Sequence, residues 1–308
     1  MLALDPDRVY CHADLKAQGL SQARIAAMVR GERLLRPRQG LYLSPASSAS
    51  ATTAAAAGGR LACTSLLAER GVFVLDRGDV HVQVPPHTTR LRPTPGVRLH
   101  WAPLRRTPPP RSLRVEVFDA LLQATICQTP RAAIATLDSA VNLGLVDEEG
   151  LDELFRLVPR RRRGLRALVD GRCESGPETF VRLLLRALGL SFECQVWIDG
   201  VGRVDFVVEG WLVIQCDSRA HHGGWQAQVA DRRRDLALAA RGYASIRPVA
   251  ADIFADAPAL GRVIVAMLQK IGPRTDNTPA APARRARSRR MGADPRRPSG
   301  MLSSTGNG

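Results

Sequence analysis

The chain has 308 residues, 45% of them hydrophobic, which suits two folded units, and no apolar run approaches the roughly 20 residues that a membrane-spanning helix needs. Lys and Arg number 44 against 29 Asp and Glu, a net charge of +15. Only Lys16 and Lys270 are lysines, so the excess is arginine, whose planar, permanently charged fork suits a polyanionic partner.

Six cysteines are scattered singly with no Cys-x-x-Cys pair, which speaks against a zinc ribbon or a disulfide framework. Residues 1 to 25 carry Asp5, Asp7 and Asp14 without a continuous apolar core, so a cytoplasmic location is expected.

From residue 7 to 45 the pattern predicts two short helices and a hairpin. Ser21 is a natural N-cap; Ile25, Met28 and Val29 recur at helical spacing until Gly31. Leu34 and Leu35, then Leu41 to Leu43, flank a basic turn from Arg36 to Gly40. A helix followed by a basic hairpin is the outline of a winged helix-turn-helix. Arg24, Arg30, Arg36 and Arg38 are its expected nucleic-acid contacts, and a helical pair packed on the rest of the chain is the competing reading.

Residues 46 to 60 (Ala, Ser, Thr, Gly), 84 to 112 (Pro, Arg) and 158 to 164 (Arg) punctuate the sequence. Between them, helices are predicted at Thr64 to Arg70, Val117 to Cys127, Arg131 to Leu143 and Leu151 to Leu157, with a strand at Asp79 to Val84. His81, His87 and His100 lack metal-ligand spacing, and this part reads as scaffold.

Beyond Glu174 the pattern changes. Pro177 sits just inside a helix start, with Phe180, Val181, Leu184, Leu185 and Leu188 as its apolar stripe. Strands follow at Gln195 to Ile198, Arg203 to Val208 and Trp211 to Asp217, then a helix at Ala230 to Arg241 and a strand at Tyr243 to Arg247. This order predicts an α/β layer with a mixed sheet. Asp205 interrupts an apolar strand, and Gln215 and Asp217 share a face of the next. Buried carboxylates need a partner, and Glu178, Asp205 and Asp217 together would make an oxygen-rich site suited to Mg²⁺ or Mn²⁺. For Asp205 and Gln215 to share a sheet face, opposed residue numbers must sum to an even value near 420, which requires a three-residue loop or a bulge around Glu209 and Gly210.

Residues 174 to 254 resemble the very-short-patch-repair-like endonuclease domains of the PD-(D/E)xK restriction-endonuclease-like superfamily. The resemblance lies in Glu178, the Arg203-to-Phe206 strand, the run from Leu212 through Gln215 and Asp217 to His221 and His222, and Asp231 to Leu236. It implies metal-dependent DNA cleavage, with Asp205 as central metal ligand, Glu178 and Asp217 assisting, and His221 or His222 near the scissile phosphate. Gln215 stands where the superfamily usually has Glu, and Asp217 where it has Lys. The run from Gly31 through Arg36 and Arg38 to Tyr42 resembles the winged helix of abortive-infection type IV antitoxins.

The expected organisation is a winged helix at 1–45, an α/β middle at 61–157, a restriction-endonuclease-like domain at 172–271, and a disordered arginine-rich tail at 272–308. Two functions follow from it: a Mg²⁺-dependent DNA endonuclease in repair or defence, or a non-catalytic antitoxin-like transcriptional regulator with a toxin-like partner. Arg232 and Arg234 are further candidate DNA contacts. Ordinary alternatives exist for each residue: Asp205 as a buried partner of Arg203 or of an Arg in the 231–241 helix, Glu178 as a helix-start charge, the histidines as a solvated pair, Asp231 and Asp235 as partners of Arg234 and Arg232.

Overall fold

A computed structural model describes residues 4–88, 91, 94–216 and 225–270. The fold is mixed α/β, with three small sheets. No helix among the described residues is long and apolar enough to cross a membrane.

The first sheet has strand order β1-β3-β2, from β1 (Tyr10–Cys11), β2 (Leu35–Arg38) and β3 (Leu41–Leu43). It is accompanied by α1 (His12–Ala17) and α2 (Gln22–Arg30). Ser21 caps α2 as expected, its Oγ accepting from the Arg24 amide at 3.2 Å. Leu15, Ile25, Met28, Leu34 and Tyr42 fill the small core. The hairpin is tighter than the sequence suggests: Arg36, Pro37 and Arg38 lie in the strand, and only Gln39 and Gly40 turn. Pro37 has no N–H to give, and the register slips between Leu35 and Arg38 on this edge strand.

The middle contains α3 (Ala49–Ala56), β4 (Arg60–Leu61), α4 (Cys63–Glu69), β5 (Val80–Gln83), β6 (Val97–His100), α5 (Val117–Cys127), α6 (Pro130–Asn142), α7 (Glu148–Leu157) and the single-turn α8 (Arg160–Arg163). The three punctuating stretches carry structure of their own. Residues 46–60 are no linker: Ser48 caps α3 through the Ala51 amide at 3.1 Å. Ala51, Ala54 and Ala55 are buried, because methyl-sized side chains let a helix with high propensity pack closely. The Pro- and Arg-rich stretch contains β6, paired parallel to β5. The Arg run is not merely a solvated face. Arg162 donates to the carbonyls of Gln128 (2.8 Å) and Ile126 (3.4 Å) at the end of α5, where unpaired carbonyls favour a cation.

The third sheet has order β10-β9-β8-β7. Its strands are β7 (Phe192–Ile198), β8 (Gly202–Val208), β9 (Leu212–Ile214) and β10 (Ala244–Ile246), the last parallel to β9. Around it lie α9 (Gly176–Ala187), α10 (Trp225–Ala239), α11 (Ala250–Ala255) and α12 (Ala257–Lys270). Phe180, Val181, Leu184 and Leu185 of α9 pack on Phe206, Val208, Leu212 and Ile214. On the other face, Val207 and Val213 pack with Leu238 of α10 and Tyr243.

Helix α9 is also held from the middle. Arg182 and Asp138 of α6 form an ion pair at 2.7 Å with both side chains 1% exposed. Asp138 further accepts from the Asp170 amide at 2.7 Å and the Thr179 hydroxyl at 2.8 Å. Arg182 donates to the Leu168 carbonyl at 2.7 Å.

Candidate active site

The β8–β9 hairpin sets the site. Phe206 stands opposite Ile214, Val207 opposite Val213 and Val208 opposite Leu212. Each pair sums to 420, so Glu209, Gly210 and Trp211 form the expected three-residue loop. Glu209 and Gly210 both take positive φ, 49° and 77°, a conformation that Gly210 adopts without strain. Continuing this register puts Gln215 opposite Asp205 and on its face. The Cys216 amide donates to Asp205 Oδ2 at 2.7 Å, which fixes the carboxylate.

On the other side of β8, Cys194 pairs with Phe206 and Val196 with Val204, so Gln195 stands opposite Asp205. Gln195 takes φ 55°, a rare conformation for a residue with a Cβ that turns it out of the regular pleat. Gln195 on β7, Asp205 on β8 and Gln215 just beyond β9 thus form a row across the sheet.

Glu178 joins this row from α9. The Ser175 Oγ, N-cap of that helix, donates to Glu178 Oε1 at 2.7 Å. The Glu174 amide and the Gln195 side-chain amide each donate to Oε2 at 2.8 Å. Glu178 is 6% exposed, and burial pushes its carboxyl up, with the charge of Asp205 adding to the effect. Burial likewise raises Asp205, against the Cys216 amide and the charges of Arg234 and Arg203.

Two nearby acids without a direct cation are unusual in a protein interior. Among the described residues neither Glu178 nor Asp205 has an ion-pair partner. Arg203 is engaged by Glu174 through two bonds of 2.6 Å, which removes the reading of Asp205 as its direct partner. Arg234 Nη2 donates to the Arg203 carbonyl, and its buried Nε has no partner. The Nε2 of buried Gln215 and the Oε1 of Gln195 are also unpartnered. Two carboxylates and two side-chain amides, with the buried Gln195 Oε1 unpartnered among them, offer oxygens suited to a hard, oxygen-preferring divalent cation.

Of the other predicted residues, Asp217, His221 and His222 lie outside the described residues. Asp231 and Asp235 do not pair with Arg234 and Arg232. Both bind Arg247, at 3.1 and 2.8 Å, because their side of α10 faces the end of β10. Arg232 lies over the Trp225 ring at 5.9 Å. Arg24, Arg30, Arg36 and Arg38 are all exposed on the N-terminal unit. The tail from 272 onward is outside the described residues.

The sequence reading missed Gln195 altogether, since a glutamine in a half-polar strand carries no signal until its register is known. It also set aside His81 and His100 for lack of ligand spacing. The structure corrects this: both approach Cys63 and Cys127, with all four ligand atoms within 4.8 Å of one another.

Comparison with protein-family models finds no match, and comparison with curated proteins finds none either. The functional reading therefore rests on the geometry of the site.

Proposed function

We propose that the chain is a DNA-binding protein whose C-terminal unit is a Mg²⁺-dependent endonuclease of the restriction-endonuclease-like type, resembling the very-short-patch-repair-like branch. One observation carries this reading: buried Glu178 and the Gln195–Asp205–Gln215 row bring two carboxylates together without a direct cation partner among the described residues. A helix, an antiparallel three-strand meander and a parallel fourth strand are the arrangement on which the resemblance places such a site.

Asp205, fixed by the Cys216 amide, and Glu178 would hold the cation, with the amide oxygens of Gln195 and Gln215 as neutral ligands. Magnesium bound there supplies water activation and neutralises charge on the scissile phosphate. Arg234, with its free buried Nε, is placed to meet the charge of a phosphodiester. At the N-terminus, α2 would enter the major groove with Arg24 and Arg30, and the β2–β3 hairpin would set Arg36 and Arg38 on backbone phosphates.

A second reading is favoured by Glu178 itself, whose oxygens already accept three hydrogen bonds from the protein. On that reading the unit is a scaffold in an antitoxin-like transcriptional regulator that has a toxin-like partner.

The deciding experiment incubates supercoiled and mismatched DNA with Mg²⁺ or Mn²⁺ and compares the native chain with Asp205→Ala. Metal-dependent nicking by the native chain alone is the expected result. Equal background from both gives the site to the regulator.

A further inference from the structure

A second polar cluster lies in the middle of the chain, away from the carboxylate row. Cys63 begins α4, His81 is in β5, His100 closes β6 and Cys127 ends α5. One ligand atom from each falls within 4.8 Å of all the others. His81 Nδ1 and His100 Nε2 face each other at 3.0 Å, and Cys127 Sγ lies 3.9 Å from His81 Nδ1.

We propose that Cys63, His81, His100 and Cys127 bind one zinc ion, as a structural Cys₂His₂ site that ties α4, β5, β6 and α5 together. Two sulfurs and two imidazole nitrogens are the donor set that a tetrahedral borderline-soft ion selects, and they are poorly suited to Mg²⁺. The charge balances: Zn²⁺ with two thiolates and two neutral imidazoles is neutral, which fits a place where Cys63 is fully buried and His81 is 7% exposed. Zinc entering from solvent displaces the two thiol protons to water, and no electron moves.

Cys63 adds a second observation. Its φ is 49°, a left-handed conformation that a residue with a Cβ avoids unless its surroundings impose it. Two contacts help to hold the cluster in place. The His81 amide donates to Ser65 Oγ at 2.9 Å, fixing the start of β5 on α4, and Arg98 Nη1 reaches Cys127 Sγ at 3.6 Å. A cleft of about 380 Å³, lined in part by His100, Cys127, Arg98 and Trp101, opens on two of the four ligands and gives the ion its path in.

The site is independent of the nuclease reading, and its test is built to stay so. The full chain, produced with zinc in the medium and purified under reducing conditions, is analysed for metal beside Asp205→Asn and the double variant Cys63→Ser, Cys127→Ser. The expected result is about one zinc per chain in the native protein and in Asp205→Asn, and less than a tenth of that in the double variant. To keep the test independent of any misfolding of the double variant, the native chain is also stripped and reloaded with Co²⁺. A tetrahedral thiolate site then gives intense visible bands and a near-ultraviolet sulfur-to-metal band. Native protein with neither zinc nor these bands overturns the proposal.

Discussion

Helix α9 meets two buried carboxylate environments, and the contrast between them separates what holds the fold from what equips the site. Towards α6, Asp138 is met by Arg182 at 2.7 Å and by two further donors. The counter-charge of Asp138 is supplied from within the chain. At the first turn of the same helix, Glu178 has its hydrogen bonds but no cation partner among the described residues, and the charge of Asp205 adds to its burial. The first arrangement holds its counter-charge within the chain, although burial still raises the Asp138 carboxyl and the buried Nε and Nη1 of Arg182 have no hydrogen-bond partner. The second is relieved by protons or, on the proposed reading, by a divalent ion.

The contrast predicts opposite responses to removing a charge. Asp138→Ala leaves Arg182 buried with its counter-charge gone and strands the Thr179 hydroxyl and the Asp170 amide. It should cost about 3–5 kcal/mol of unfolding free energy, measured by urea denaturation. Replacing the pair together, Asp138→Leu with Arg182→Met, should recover much of that loss. A single variant within about 1 kcal/mol of the native chain would show the junction between α6 and α9 to be solvated rather than closed.

Adding a charge at the other site is the converse experiment. Gln215→Glu puts a third acid into the row and, without metal, should lower stability by about 1–3 kcal/mol. With Mg²⁺ the same carboxylate becomes a ligand, so the variant's melting temperature should rise with metal concentration more steeply than the native chain's, and its cutting rate should increase. A variant that is destabilised, indifferent to Mg²⁺ and inactive favours the regulator.

How far this could be seen in the sequence differs between the two clusters. Asp205 announces itself because it breaks an apolar strand, and the parity of 205 and 215 then forces the three-residue loop at Glu209 to Trp211 that the structure contains. Local pattern sufficed because the groups lie on adjacent strands joined by one turn. The Cys and His cluster has no such signal. Its four members come from four elements, two of them brought together by the parallel pairing of β5 and β6, and β6 sits in a stretch whose prolines and arginines hide its short Val97–His100 alternation. Helix α3 was hidden for a related reason: its buried side is alanine, which reads as low complexity until something packs against it. Asp138 and Arg182 lie in well-predicted helices, but which faces of two helices meet is a tertiary fact.

The smallest effect tests the acid pair most directly. Burial raises both Glu178 and Asp205, so the folded chain binds these protons more tightly than the unfolded one. Stability from this source is therefore greatest at and below the ordinary carboxylate range, and falls as pH rises through the raised values. Asp205→Asn removes one titrating group and the repulsion it exerts on Glu178, while its amide oxygen can still accept from the Cys216 N–H. Without metal the variant should be more stable than the native chain by about 1 kcal/mol above neutral pH, a difference that closes towards about pH 4. Mg²⁺ should reverse the order, because it stabilises only the chain that retains both acids. Thermal melts across pH, with and without Mg²⁺, separate the outcomes. A variant less stable than the native chain at high pH, with neither responding to Mg²⁺, would mean that Asp205 is a structural acceptor for Cys216, and the two environments along α9 would then be of one kind.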